Sequence, residues 1–247
     1  NTWSWAVGTP RPELQRVGNM PAIALTHAER GRYTLHFEGS PELLFTENDT
    51  NVKRIFDIDN SLPFVKDSIN NYVLHGAKDA VNPAQRGTKA AGHYTTRVAA
   101  GQSVAVRLRL TDGVVSEGPS GVGADFDRVF TARQREADEF YSTVIPDALS
   151  PDAANVMRQA LGGMLWSKQF YHYVVRDWLN GDPCQPAPPE SRRHGRNAVW
   201  MHLYNSDVIS MPDKWEYPWY ASWDLAFHCV ALSLVDSEFA KEQLILL

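Results

Sequence analysis

Cysteine is scarce: Cys184 and Cys229 are the only two in 247 residues. They form no C-x-x-C pair and have no metal-ligand spacing, which excludes a redox dithiol, a zinc knuckle and a disulfide-built miniature scaffold. A single bridge between them stays open, and this usage suits a reducing compartment or indifference to redox state. Long hydrophobic runs are missing too. The longest, such as Leu225 to Leu234, contain His or Ser and are far too short to span a bilayer. No Lys/Arg block appears. The 24 basic and 29 acidic residues are mixed along the chain, with a formal charge of −5, so no nucleic-acid surface is expected. The N-terminal residues lack the charged-then-apolar order of a signal peptide. EF-hand loops, zinc-spaced His/Glu clusters and phosphate-binding Gly motifs are all lacking, so no metal or cofactor is expected. One sequon, Asn48-Asp49-Thr50, is what chance provides. These absences together predict a soluble protein of the cytoplasm or periplasm with no membrane span, and they leave oligomeric state open.

Aromatic residues are plentiful. Eight residues are Trp, and all but Trp3 and Trp5 lie after position 165. Dense indoles with polar neighbours suit sugar rings, which offer apolar C–H faces to stack and hydroxyls to hydrogen-bond. Two hydrophobic periods divide the chain. In the first half, Tyr33, Leu35 and Phe37 alternate with Thr34 and His36. Val104, Val106, Leu108 and Leu110 alternate with Ala105, Arg107 and Arg109. A period of two marks half-buried strands. Turn signals at 38–41, 99–101 and 112–113 separate them, and further strands are expected at 43–46, 71–75 and 93–98. Residues 1–124 therefore read as an antiparallel β-sandwich.

From Asp125 the period becomes helical. Phe126, Val129, Phe130, Arg133 and Ala137 fall on one side of a linker helix assigned to 125–148, which Pro146 breaks. Ser150 suits the N-cap of the next helix, Pro151 its first position and Asp152 the positive end of its dipole. That helix is expected to run to about Trp178, apolar on much of its circumference. A Pro- and Gly-rich loop follows over 180–196. Another helix starts near Ser222 or Trp223, and Asp236 caps a third. Gln243-Leu-Ile-Leu-Leu247 shows no stop signal, so the chain reads as cut within an apolar helix, and its Trp-rich start reads the same way.

The chemistry concentrates in Met211 to His228. Trp215, Trp219 and Trp223 recur every four positions, but Pro218 forbids one continuous helix through them. Asp224 then falls in the first turn of a helix, flanked by aromatic residues. A glycosidase needs two carboxyl groups about the scissile bond, one of them able to donate a proton. An apolar, aromatic pocket pushes a carboxyl group toward its neutral form, whereas a helix N-terminus favours the anion. The same Asp would serve equally as a plain helix cap, and the three Trp as plain core.

The run Tyr217-Pro-Trp-Tyr-Ala-Ser-Trp-Asp-Leu-Ala-Phe-His228 resembles the signature of glycoside hydrolase family 63 and its bacterial relatives. These include processing α-glucosidases and mannosylglycerate hydrolases. Phe45 to Asn51, Ala80 to Pro83 and Gly87 to Ala91 are similar to segments of that family's β-sandwich. The resemblance implies a sandwich, a linker and, over 149–247, the first helices of an (α/α)6 barrel. It implies an inverting α-glucosidase in which Asp224 is the general acid. The general base is a Glu far downstream, beyond this chain, so the fragment alone is expected to be inactive. Trp215, Trp219 and Trp223 are candidates to line a glucose subsite, with Glu216 as a hydrogen-bond partner. On the preceding helix, Trp166, Gln169 and Tyr171 are further candidates to meet the carbohydrate. Two other readings stand beside this one: a carbohydrate-binding protein without catalysis, and a related (α/α)6 hydrolase of mannosylglycerate hydrolase, trehalase or glucoamylase type.

Overall fold

A computed structural model of the chain describes residues 8–113, 122–183, 185–211 and 220–247. It contains antiparallel sheets and several helices, in two compact units. The first comprises the described residues through Phe130 together with Asp182–Ala187; the second comprises Thr131–Gly181 and the described residues from Pro188 onward.

The first unit contains β1 (Glu13–Arg16), β2 (Ala22–His27), β3 (Gly31–Phe37), β4 (Glu42–Thr46), α1 (Val52–Phe56), α2 (Ser68–His75), β5 (Arg86–Gly87), β6 (Lys89–His93) and β7 (Leu108–Asp112). An antiparallel sheet runs β5-β1-β2-β3-β7, and β4 pairs with β6 as a second, two-stranded sheet. Register places Ile23 opposite Leu35, and Leu35 opposite Leu110. One face of the larger sheet is thus apolar, and its Ile23 and Phe37 pack on Leu43 and Phe45 of β4. Phe45 is fully buried. The close approach of the sheets explains Gly92: a Cβ there would lie 2.4 Å from the Phe37 ring.

Three local expectations change here. Residues 71–75 are helical, not extended, within α2, whose chain reversal is made by Gly76 at φ 66°. Five residues are too few to separate periods of two and 3.6. The strand expected at 93–98 ends at His93. The strand expected at 103–111 begins only at Leu108, and its orientation differs from expectation: Leu108 and Leu110 are exposed while Arg109 is half-buried. β7 is an edge strand, and the smaller sheet leaves that end of the apolar face open. On the opposite face Thr34 and His36 are buried, paired with Thr111 and Arg109.

α3 (Ala124–Val144) is the helix expected over 125–148, and its first turns carry Asp125 to the Arg109 guanidinium, 2.9 Å away. The second unit continues with α4 (Pro151–Trp166), β8 (Lys168–Val174), α5 (Val175–Asn180), β9 (Tyr204–Ser210), α6 (Ser222–Leu232) and α7 (Ser237–Ile245). Ser150 caps α4 as read, its hydroxyl accepting from the Ala153 N–H at 3.2 Å. The single helix expected from 151 to about 178 is instead helix, strand, helix. α4 ends at Trp166, and β8 forms an antiparallel hairpin with β9, from Lys168↔Ser210 to Val174↔Tyr204. Phe170, Tyr171, Tyr173 and Val174 are strand-favouring residues. α6 and α7 bury Cys229, Leu232 and Ala240 together. Asp236 caps α7, accepting from the Phe239 N–H at 3.2 Å.

Candidate functional site

α6 begins where the sequence placed it, and Asp224 stands in its first turn. The N-cap is Ala221, which offers no side-chain acceptor, so the helix entry is uncapped by its own sequence. Asp224 is half-buried. Its Oδ2 is sealed from solvent and has no hydrogen-bond partner among the described residues. No ion pair involves it among those residues.

One turn later His228 shares this side of the helix. Its Nδ1 is hydrogen-bonded to the Ser210 hydroxyl at 2.9 Å. Burial lowers the His228 pKa, and the Asp224 carboxylate only partly offsets this. The imidazole is therefore neutral near pH 7 and supplies no counter-charge to Asp224. Ser, His and Asp in this order invite comparison with a nucleophilic triad. Ser210 rules that out here, because it is 2% exposed and no substrate carbonyl reaches it. It serves the architecture instead: its N–H donates to Gln243 Oε1 at 3.0 Å, and Gln243 Nε2 donates to the Val208 carbonyl at 3.1 Å.

Trp223 and Phe227 lie beside Asp224 and are 71% and 68% exposed. Their rings meet edge to face at 5.9 Å. They form an open aromatic pair at the helix start, with Asp224 adjacent to both in sequence and helical spacing.

The other expected site residues disperse. Trp215, Glu216 and Trp219 lie outside the described residues, as does Cys184. Trp166 ends α4 at 90% exposure and lines neither hollow described. Gln169 and Tyr171 sit on β8, on the same face of the hairpin as Asp207 and Tyr173, since period two rather than 3.6 relates them. Tyr171 faces Tyr220, ring centroids 6.2 Å apart, just before α6. Burial raises the pKa of both phenols, and the Asp207 carboxylate adds to that of Tyr220. Cys229 is a free, buried thiol, its pKa also raised by burial.

Sequence reasoning did not single out Ser210, Gln243, Asp207 or Tyr220. The Ser210–Gln243 contact joins positions 33 apart, and no local pattern announces it. A hollow in this unit, about 580 Å³, is lined by Lys168, Val208, Phe239 and Gln243 among others and does not include Asp224. Lys168 there pairs with Asp236 and lies over the Phe239 ring at 3.9 Å. Among the described residues no group of three or more His, Cys, Asp and Glu could hold a metal ion. No described helix is long and apolar enough to cross a membrane.

No family profile matches the chain. The chain is similar to the uncharacterized protein YMR196W of Saccharomyces cerevisiae, 39% identical over 281 aligned positions that take in all of this chain. It spans 26% of that relative's length.

Proposed function

We propose that the chain is part of a glycoside hydrolase acting on α-glucosides or related oligosaccharides, with Asp224 as the proton donor. The observation that carries the reading is the state of that carboxyl group. It sits half-buried at a helix start, beside an exposed aromatic pair, and no cation among the described residues claims it. A carboxylate locked in an ion pair cannot serve as a general acid. A buried carboxyl oxygen without a partner costs free energy, of order 1–3 kcal/mol or more. The residue as a whole is only half-buried, and a departing glycosidic oxygen would meet the carboxyl group on its open side, not at the sealed oxygen. Neutral His228 backs the site without drawing the acid into a permanent pair.

In this reading an exposed ring of the Trp223–Phe227 pair stacks on a sugar face while Asp224 protonates the leaving oxygen. A second carboxylate, from outside these 247 residues, activates water from the opposite side. The two carboxyl groups of an inverting pair stand roughly 6.5–9.5 Å apart. The helices of the second unit would then be the opening of an (α/α)6 barrel, and the first unit its companion β-sandwich. The resemblance of residues 217–228 to family 63 supports this assignment.

Asp224→Asn in the full-length protein tests it. The variant should fold and bind sugar but lose about 10²–10⁴-fold in turnover of α-glucosides, the usual share of a general acid. Near-normal turnover would refute the assignment.

A further inference from the structure

A hollow in the first unit, whose lining does not include Asp224, has no role assigned above. It measures about 650 Å³, within the roughly 300–1,000 Å³ usual for small-ligand pockets. Its frame is tied down by the backbone. The Glu47 N–H donates to the Phe64 carbonyl, the Thr88 N–H to the Thr46 carbonyl at 3.1 Å, and the Asn48 N–H to Thr88 Oγ1 at 2.8 Å. Gly87 closes one wall: a Cβ there would fall 2.3 Å from the Thr46 carbonyl oxygen, so only glycine permits that approach.

Several polar groups on the wall are already spent. Arg11 forms two hydrogen bonds to Asp49, and Thr88 Oγ1 donates to Glu47 Oε2 at 2.7 Å. Two are not. Glu47 Oε1 has no hydrogen-bond partner among the described residues, and the exposed Arg86 guanidinium has none either. The hollow thus presents one fixed carboxylate acceptor and one fork of N–H donors, with half-buried Leu62 and Phe64 supplying apolar surface. Arg11 and Arg86 balance Glu13 and Glu47 in the lining, so the hollow selects for neither net charge sign. Acceptor and donor groups on one lining, with an apolar wall, match the hydroxyls and C–H faces of a neutral sugar.

We infer that this hollow is a second, non-catalytic carbohydrate-binding site, taking a neutral oligosaccharide through Glu47, Arg86 and Phe64. It extends the carbohydrate reading to the first unit but uses neither Asp224 nor the aromatic pair, so the two assignments fail separately. The Glu47 carboxylate accepts from sugar hydroxyls, the Arg86 guanidinium donates to sugar oxygens, and Phe64 packs on a ring face.

The test is an amide NMR titration of the 247-residue protein with maltotriose and, separately, mannotriose. At least one sugar should give saturable shifts at Gly87, Thr88 and Ser61. Arg86→Ala and Glu47→Gln should each weaken that binding at least tenfold, while Asp224→Asn leaves these shifts unchanged. Arg86 makes no side-chain contact that the fold needs, so its loss reads on binding even if Glu47→Gln disturbs Thr88. Three results overturn the inference: no saturable shift with either sugar, shifts unaffected by Arg86→Ala, or shifts seen only with a free amino acid used as a zwitterionic control.

Discussion

The two units bury their apolar residues in different ways. In the first, Phe37 of β3 and Phe45 of β4 come from opposite sheets and meet Ile23 and Leu43 in one cluster. Its exposed aliphatics are scattered: Leu108 and Leu110 on the edge strand β7, Ile55 on α1, and Val73 and Leu74 on α2. In the second, α6 is apolar almost all round. Leu225, Cys229 and Leu232 turn inward, while Trp223, Phe227 and Val230 are about 70% exposed, at 71%, 68% and 72%. A helix apolar on every side is built to be covered on every side. Exposed apolar surface of this extent marks a place where something else binds. The contrast predicts that the interlocked sheets of the first unit contribute strongly to stability, and the outer face of α6 little.

Core truncation gives the largest expected difference between the units. Phe45→Ala should cost about 3–5 kcal/mol, the range for deleting a buried aromatic ring. Phe227→Ala, on the open face of α6, should change stability by no more than about 0.5 kcal/mol. Urea unfolding with hydrogen exchange on β2 and β3 amides measures the first, and the same experiment on α6 amides the second. Comparable losses would break the distinction.

How far this was legible in the sequence depends on the range of the signal. Helix entries are legible at Ser150 and Asp236, whose side chains cap, and near Ser222, which follows Pro218 at a distance of four residues. The placement of Asp224 in a first turn follows from the same local rule. β8 is hidden because the run Phe170 to Val174 can continue the helical period of the preceding segment, and pairing with β9 decides otherwise. β9 itself, Tyr204–Ser210, mixes Asn, Ser and Asp with Val and Ile and gives no clear period. The outward-facing leucines of β7 could not be foreseen. Alternation shows that Leu108 and Leu110 share a face, but whether a second sheet covers that face is a tertiary fact. The hollow under Gly87 was likewise silent, since it joins residues near 11, 47, 62 and 87 that only the sheet topology brings together.

Gln243 offers a smaller effect and sharpens the account of the second unit. It is 1% exposed and satisfies two backbone groups of β9, the Ser210 N–H and the Val208 carbonyl. Gln243→Leu keeps the apolar volume but leaves both unpaired, at about 1–3 kcal/mol for a buried orphan. The Ser210 amide should lose its protection against hydrogen exchange while β2 and β3 amides keep theirs. Unchanged protection at Ser210 would mean that α7 does not hold the hairpin.

The smallest effect separates the units by pH. His36 in the first and His228 in the second are both held below their ordinary value of 6.5, chiefly by burial. A lowered histidine pKa means that the unfolded chain binds a proton which the folded one refuses. The stabilisation is full above the unfolded value and is lost as pH falls from about 6.5 toward the lowered folded value. The neighbours differ in sign. The Arg109 guanidinium drives His36 further down, whereas Asp224 pulls His228 part of the way back. As pH falls through that window each unit should therefore lose stability from its own histidine, with the neighbouring charges acting on the two losses in opposite directions. Amide exchange measured unit by unit at the two ends of that window compares them. Asp224→Asn removes the opposing anion, so the His228 ring should titrate at still lower pH in that variant, read from its Cε1 proton. Titration of His228 unchanged by Asp224→Asn would show that the two side chains do not interact across the turn, and would remove the neutral histidine from the account of how the acid is kept free.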